Sequence, residues 1–157
     1  NQYAPMPGDI DLRAAICEKV KLLHSCVYNI DKEITITAGA TQAIFTVLAA
    51  LVKKDDEVLI FTPAYDCYEP TIELFGGKTR AVQLEAPFYK PNWEKVEDQI
   101  NNHTKLIIIN TPHNPSGAVF SKDDLLQLQK LTEKYNLFVL SDEVYEHIIF
   151  DQQIHYS

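Results

Sequence analysis

The chain has 157 residues, 46% of them hydrophobic and 23% charged, with a formal net charge of -8. This is the composition of a globular domain with a core of its own, and acidic residues spread without a long like-charged run leave no basic face for nucleic acid. No apolar run approaches the roughly 20 residues that span a bilayer, and the opening NQYAPMPGDID has neither the basic nor the apolar part of a signal peptide, so a non-secreted, cytoplasmic protein is expected. Cys17, Cys26 and Cys67 are odd in number and fit no metal-ligand spacing, which favours free thiols. His24, His103, His113, His147 and His155 show no metal spacing either, and no metal is assigned.

Residues 1–9 are rich in proline and polar residues and read as extended chain. Asp9 or Asp11 can cap a helix running from Leu12 to about Tyr28, where Leu12, Ile16, Val20, Leu23 and Val27 recur every three or four residues. Ile34, Ile36 and Ala38 alternate with Thr35 and Thr37, the pattern of a strand, and Gly39 permits a tight turn into a helix from about Thr41 to Val52. That helix is apolar nearly all round, which predicts burial between a sheet and another layer or subunit. A strand over 57–61 leads to the loop TPAYDCYEP. A helix from about Tyr68 to Phe75 follows, stopped by Gly76 and Gly77. A strand over 79–84, a helix over 93–100 and the apolar run Leu106, Ile107, Ile108, Ile109 come next. Ser121 reads as the N-cap of a helix reaching about Tyr135, with Asp123 and Asp124 in its first turn, and 137–140 as a further buried strand before SDEVYEHI. Strands alternating with helices predict an α/β fold of three αβα layers around a mainly parallel sheet.

In such a sheet the turns after successive strands lie along one edge, where ligands collect. Pro112, Pro115 and Gly117 end the apolar run sharply and set Asn110 and Asn114 at the end of a buried strand; taken alone, these asparagines serve equally well to satisfy turn backbone. The turn from Gly39 through Ala40 to Thr41 opens a helix N-terminus, whose amides and dipole suit a phosphate, although a plain tight turn explains it as well. Asp142 follows an apolar strand and needs a cationic or hydrogen-bonding partner, with helix capping as the alternative role; Tyr145, three residues on, lies near it if the turn continues as helix. Tyr65 offers a flat face. A phosphate site opposite a buried acid suits a ligand with an anionic tail and a cationic ring.

ITAGATQA, PAYDCYEP, NTPHNPSG and SDEVYEHI, in this order and at these separations, resemble the cofactor domain of the fold-type I aminotransferases that use pyridoxal 5'-phosphate, and within them the class I subgroup of methionine and kynurenine aminotransferases. The likeness covers essentially the whole chain. It implies that Ala40 and Thr41 contact the phosphate with Gly39 allowing the turn, that Tyr65 stacks on the pyridine ring, that Asn114 and Tyr145 bond its 3'-oxygen, and that Asp142 pairs with the protonated ring nitrogen. Asp142 and Tyr145 would be the catalytic members. The substrates implied are an amino acid, sulfur-containing or aromatic, and a 2-oxo acid, and the intact protein would be a homodimer.

The same resemblance expects a Schiff-base lysine and a carboxylate-binding arginine beyond Ser157 and a closing segment before Asn1. Residues 1–157 are therefore expected to be part of the large domain, without the lysine region or the C-terminal small domain, and inactive alone. Strands near 57–61, 79–84, 105–109 and 137–140 are expected to form one contiguous sheet, with 34–38 displaced from it. Three other readings stay open: a carbon-sulfur β-lyase on the same scaffold, a nucleotide-binding module suggested by GATQA after a strand, and a non-enzymatic interaction module.

Overall fold

The computed structural model describes Tyr3 and residues 5–157. Asn1, Gln2 and Ala4, which the sequence places in an extended opening, lie outside the described residues. The chain divides into two compact units, residues 1–43 with Ser157, and residues 44–156.

In the first unit, α1 (Ile10–His24) starts at Asp9, whose carboxylate accepts from the amides of Asp11 and Leu12 at 2.9 and 3.2 Å. It ends four residues before the predicted limit, because Ser25 turns left-handed at φ 56° and donates to the Lys21 carbonyl. The predicted apolar stripe is not what this helix buries: Leu12, Leu23 and the post-helical Val27 are exposed, whereas Arg13 is only 5% exposed. Arg13 is satisfied there by the carbonyls of Gly8 and Ile30 and by Asp31 at 3.7 Å. Residues 34–38 form no strand, contrary to the alternating pattern. Alternation specifies an extended backbone, but a strand also needs a neighbour, and the bond recorded from this stretch to Pro7, Ile36 N–H to the carbonyl at 2.9 Å, is not a ladder.

Helix α2 (Ala40–Leu51) follows Gly39 directly. It buries Ile44 and Leu48, one stripe at i and i+4, while Phe45 is 44% exposed, so this chain by itself covers one face of the helix. The rest of the second unit is β1 (Glu57–Thr62), α3 (Tyr68–Leu74), β2 (Lys78–Gln83), α4 (Trp93–Asp98), β3 (Thr104–Asn110), α5 (Lys122–Tyr135) and β4 (Phe138–Asp142). Helix α5 is closed by a capping box in which Ser121 and Asp124 each bond the other's backbone amide.

The four strands pair in the order β2-β1-β3-β4, all parallel, as the alternation of strands and helices requires. Side-chain period two sorts the central strands into two cores. Val58, Ile60, Leu106, Ile108 and Leu140 face Ile44, Leu48, Tyr68 and Ile72, while Leu59, Phe61, Ile107 and Ile109 face Val96, Phe120, Leu128 and Leu131. Strand β4 is an edge, which corrects its reading as buried: Phe138 and Val139 are exposed, and only Leu140 and Asp142 are buried. An apolar run marks strand propensity without telling a central strand from an edge.

Candidate active site

Loops leave the carboxyl ends of the adjacent strands β1, β3 and β4 and carry Tyr65, Asn114 and Tyr145, with Asp142 the last residue of β4 itself. Register accounts for the centre of this edge. Asn110 and Asp142, the last residues of β3 and β4, are paired, and both are buried. The Asn110 amide donates to the Asp142 carbonyl at 3.0 Å, and its oxygen accepts from the Asn114 amide N–H at 2.7 Å. Thr111 N–H donates to the same Asp142 carbonyl at 3.1 Å. Asn110 thereby holds Asp142 and Asn114 in one frame, and Asn114 keeps a half-buried side-chain amide.

The Asp142 carboxylate is 8% exposed, and its Oδ2 accepts from the Tyr68 hydroxyl at 2.6 Å. Its Oδ1 accepts from Val144 N–H at 3.3 Å, which tethers the following turn. No cation pairs with Asp142 among the described residues, so an acidic group at a ligand-facing sheet edge retains room for a cationic or N–H partner. Burial, reinforced by the bond to Asp142, pushes the Tyr68 hydroxyl far above the usual phenol range and keeps it a donor. Tyr65 is half-buried and stands edge-on to Tyr68, ring centres 5.9 Å apart at 80°. Burial, then Asp66 and Asp142, raise the pKa of the Cys67 thiol, which favours its protonated form.

The 111–118 loop is closed by its own bonds: His113 N–H to Ala118 O at 2.8 Å and Gly117 N–H to His113 O at 2.7 Å. His113, 4% exposed, places Nδ1 2.6 Å from Ser116 Oγ and Nε2 2.9 Å from the Pro63 carbonyl. Burial lowers its pKa.

Tyr145 departs from expectation. The segment after Asp142 is a hydrogen-bonded turn over 144–147, closed by Glu146 N–H to Glu143 O and Ile148 N–H to Tyr145 O, and does not continue as helix. Tyr145 is 37% exposed, and no bond joins it to Asp142 or Asn114 among the described residues. In the first unit, Gly39 has φ +92°, and a Cβ built on it meets nothing within 4 Å. Space is thus open beside Gly39, and α2 begins at the next residue, Ala40. Within the second unit, the half-buried Asn114 amide, the Tyr65 face and the buried Asp142 carboxylate suit a ring that bears a cationic or N–H group.

Tyr68 and His113 were not assigned roles from sequence, and Asn110, expected with Asn114 as a candidate ligand contact, instead uses its side chain to bond the Asp142 carbonyl and the Asn114 N–H. The motif carried Tyr65 and Tyr68 three residues apart, but only the position of α3 shows which of them reaches Asp142. Glu143, Glu146 and His155 also gather within 4.8 Å of one another, with His155 Nε2 2.7 Å from Glu143 Oε2, an arrangement that depends on the chain returning after a long loop.

The family model "Aminotransferase class I and II" matches residues 1–157. Methionine aminotransferase of Escherichia coli K12 is 44% identical over 157 residues, covering 100% of this chain and 41% of that protein. A crystal structure from Escherichia coli, described as identifying a methionine aminotransferase function, superposes with a TM-score of 0.97 at 44% identity over 100% of this chain and 42% of its own. An aromatic aminotransferase from Pyrococcus horikoshii gives a TM-score of 0.96 at 39% identity, covering 99% of this chain and 42% of its own. The chain thus spans about two fifths of the length of the relatives it matches.

Proposed function

This chain belongs to the class I and II aminotransferases, a pyridoxal 5'-phosphate-dependent family, and from that premise we propose that it is part of the cofactor-binding large domain of an enzyme moving an amino group between an amino acid and a 2-oxo acid. The observation that carries the reading is the buried Asp142 carboxylate, supported by Tyr68 and locked through Asn110 to Asn114 at the ligand-facing edge of a parallel sheet.

When bound, pyridoxal 5'-phosphate supplies an electron-accepting ring that stabilises the charge left when the substrate's α-proton is removed. Asp142 would hold a proton on the ring nitrogen, the state in which the ring accepts charge best. Tyr68 keeps that carboxylate fixed and solvent-shielded. Asn114 would donate to the ring's 3'-oxygen and Tyr65 would set the plane of the ring. Ala40 and Thr41 would hold the phosphate, with Gly39 leaving space for it. Tyr145 would bond the same 3'-oxygen, which requires its exposed side chain to turn inward.

The likeness to a methionine aminotransferase and an aromatic aminotransferase supports a sulfur-containing or aromatic amino acid as donor. The intact protein is read as a homodimer. A cytoplasmic setting is supported by three free cysteines; among the described residues no helix is long and apolar enough to cross a membrane. The test is turnover by the full-length protein of methionine, phenylalanine and an S-substituted cysteine, with and without a 2-oxo acid acceptor. Keto acid formed from methionine or phenylalanine only with the acceptor is the expected result; thiol, pyruvate and ammonia released from the S-substituted cysteine without an acceptor would identify a β-lyase instead.

A further inference from the structure

We propose that His113 is a positioning residue that staples the Tyr65 loop to the Asn114 loop and so sets the distance between the ring face and the amide that meet the cofactor. The two loops leave neighbouring parallel strands, β1 and β3, and diverge in sequence by about fifty residues. Side-chain bonding from His113 joins them. Its Nε2 lies 2.9 Å from the carbonyl of Pro63, two residues before Tyr65, while its own backbone leads directly into Asn114.

Chemistry fixes the proton. A carbonyl only accepts, so Nε2 carries the hydrogen and donates to Pro63. In a neutral ring Nδ1 is then the acceptor, and Ser116 Oγ at 2.6 Å is its donor. Ser116 Oγ in turn accepts from Ala118 N–H at 3.2 Å, so the serine hydroxyl is used in both senses. The chain of bonds runs from Pro63 through both ring nitrogens to the far side of the 111–118 loop. Burial, which favours the neutral ring, keeps this donor and acceptor pattern intact. A leucine would fill the space and transmit none of these bonds. A glutamine can still present an N–H to Pro63.

The cofactor role rests on the aminotransferase reading, whereas the staple itself does not. The test uses the full-length protein. Pyridoxal 5'-phosphate affinity and the visible circular dichroism of the bound cofactor are compared among wild type, His113→Leu and His113→Gln. The expected result is an affinity about tenfold weaker and a changed cofactor ellipticity in His113→Leu, with His113→Gln recovering most of both. Unchanged affinity and ellipticity in His113→Leu, or equal impairment in both variants, would overturn the proposal.

Nitrogen-proton NMR of the wild-type histidines without cofactor provides the second measurement and decides the matter where a variant does not fold. The His113 ring protonated at Nε2 alone is expected; a ring protonated at Nδ1 alone overturns the staple. Wild type that takes up no pyridoxal phosphate would sink the functional reading and the cofactor role with it, while the ring spectrum would still judge the link between the loops.

Discussion

The hydroxyl of Tyr68 donates to Oδ2 of Asp142 across 2.6 Å, joining the first residue of α3 to the last residue of β4 inside the core. Both residues are buried, so the carboxylate oxygen has no ready access to water if its donor is removed. Tyr68→Phe keeps the ring's packing against Ile44 and Ile72 and deletes only the donor. We expect a loss of about 1–3 kcal/mol in stability, read from the urea midpoint. An unchanged midpoint would show that the bond contributes nothing net.

Asn110 makes a similar connection through backbone. Asn110→Ala removes the acceptor of Asn114 N–H and one donor to the Asp142 carbonyl, which retains Thr111 N–H. A cost of about 1–3 kcal/mol is expected, together with weaker binding of pyridoxal phosphate by the full-length protein, because both cofactor-facing residues lose their frame. Equilibrium unfolding and a cofactor titration on the same variant check the two effects.

At the opposite, amino-terminal end of β1, Glu57 accepts from Arg80 at 2.6 and 2.7 Å and from Asn101 at 2.7 Å. The Arg80 bonds, against the opposing effect of burial and with help from Asn101, lower its pKa from the usual 4.5 to about 2. The folded state thus binds this proton less readily than the unfolded chain. The stabilisation is fully present above the unfolded value and is lost as pH falls towards about 2. Because the Arg80 side chain is 45% exposed, solvent screening brings the contribution to on the order of 1–2 kcal/mol. Glu57→Gln should flatten the acid limb of a urea midpoint against pH profile; an identical acid limb would contradict the assignment.

Two glycines separate steric from conformational cost. A Cβ on Gly77 would lie 2.6 Å from Val52 Cγ1 and 2.9 Å from Ile72 Cγ2, so Gly77→Ala should cost about 1–3 kcal/mol by overpacking. At Gly39 the space is open and only φ +92° opposes a side chain, so Gly39→Ala should cost about 1 kcal/mol. Its larger effect should fall on phosphate binding. Thermal unfolding with and without pyridoxal phosphate distinguishes the two.

Sequence patterns that report local geometry were legible. The capping residues Asp9 and Ser121, the apolar runs of β1 and β3 and the glycine stop after α3 all appear where period, cap chemistry and breaker residues placed them. The parallel sheet was legible from the alternation of strands and helices, and its contiguous four strands from what the family resemblance implies. Environment was not legible: alternation over 34–38 does not say whether a neighbouring strand is present, and the apolar letters of 137–140 do not say that β4 is an edge. At the site, the motifs drew attention to Tyr65, Asn110, Asn114 and Asp142. The supports Tyr68 and His113, and the use of Asn110 as a frame, depend on register and on which loop faces which, and neither can be read along the chain.

The central claim is that Asp142 meets the ring nitrogen of pyridoxal phosphate. It is tested most directly by titrating the full-length wild type and Asp142→Ala with the cofactor, following visible absorbance, with far-ultraviolet circular dichroism confirming that both are folded. The account predicts saturable binding by wild type and a loss of about 2–5 kcal/mol, thirtyfold or more in affinity, in Asp142→Ala. Equal affinity in the two folded proteins would contradict it.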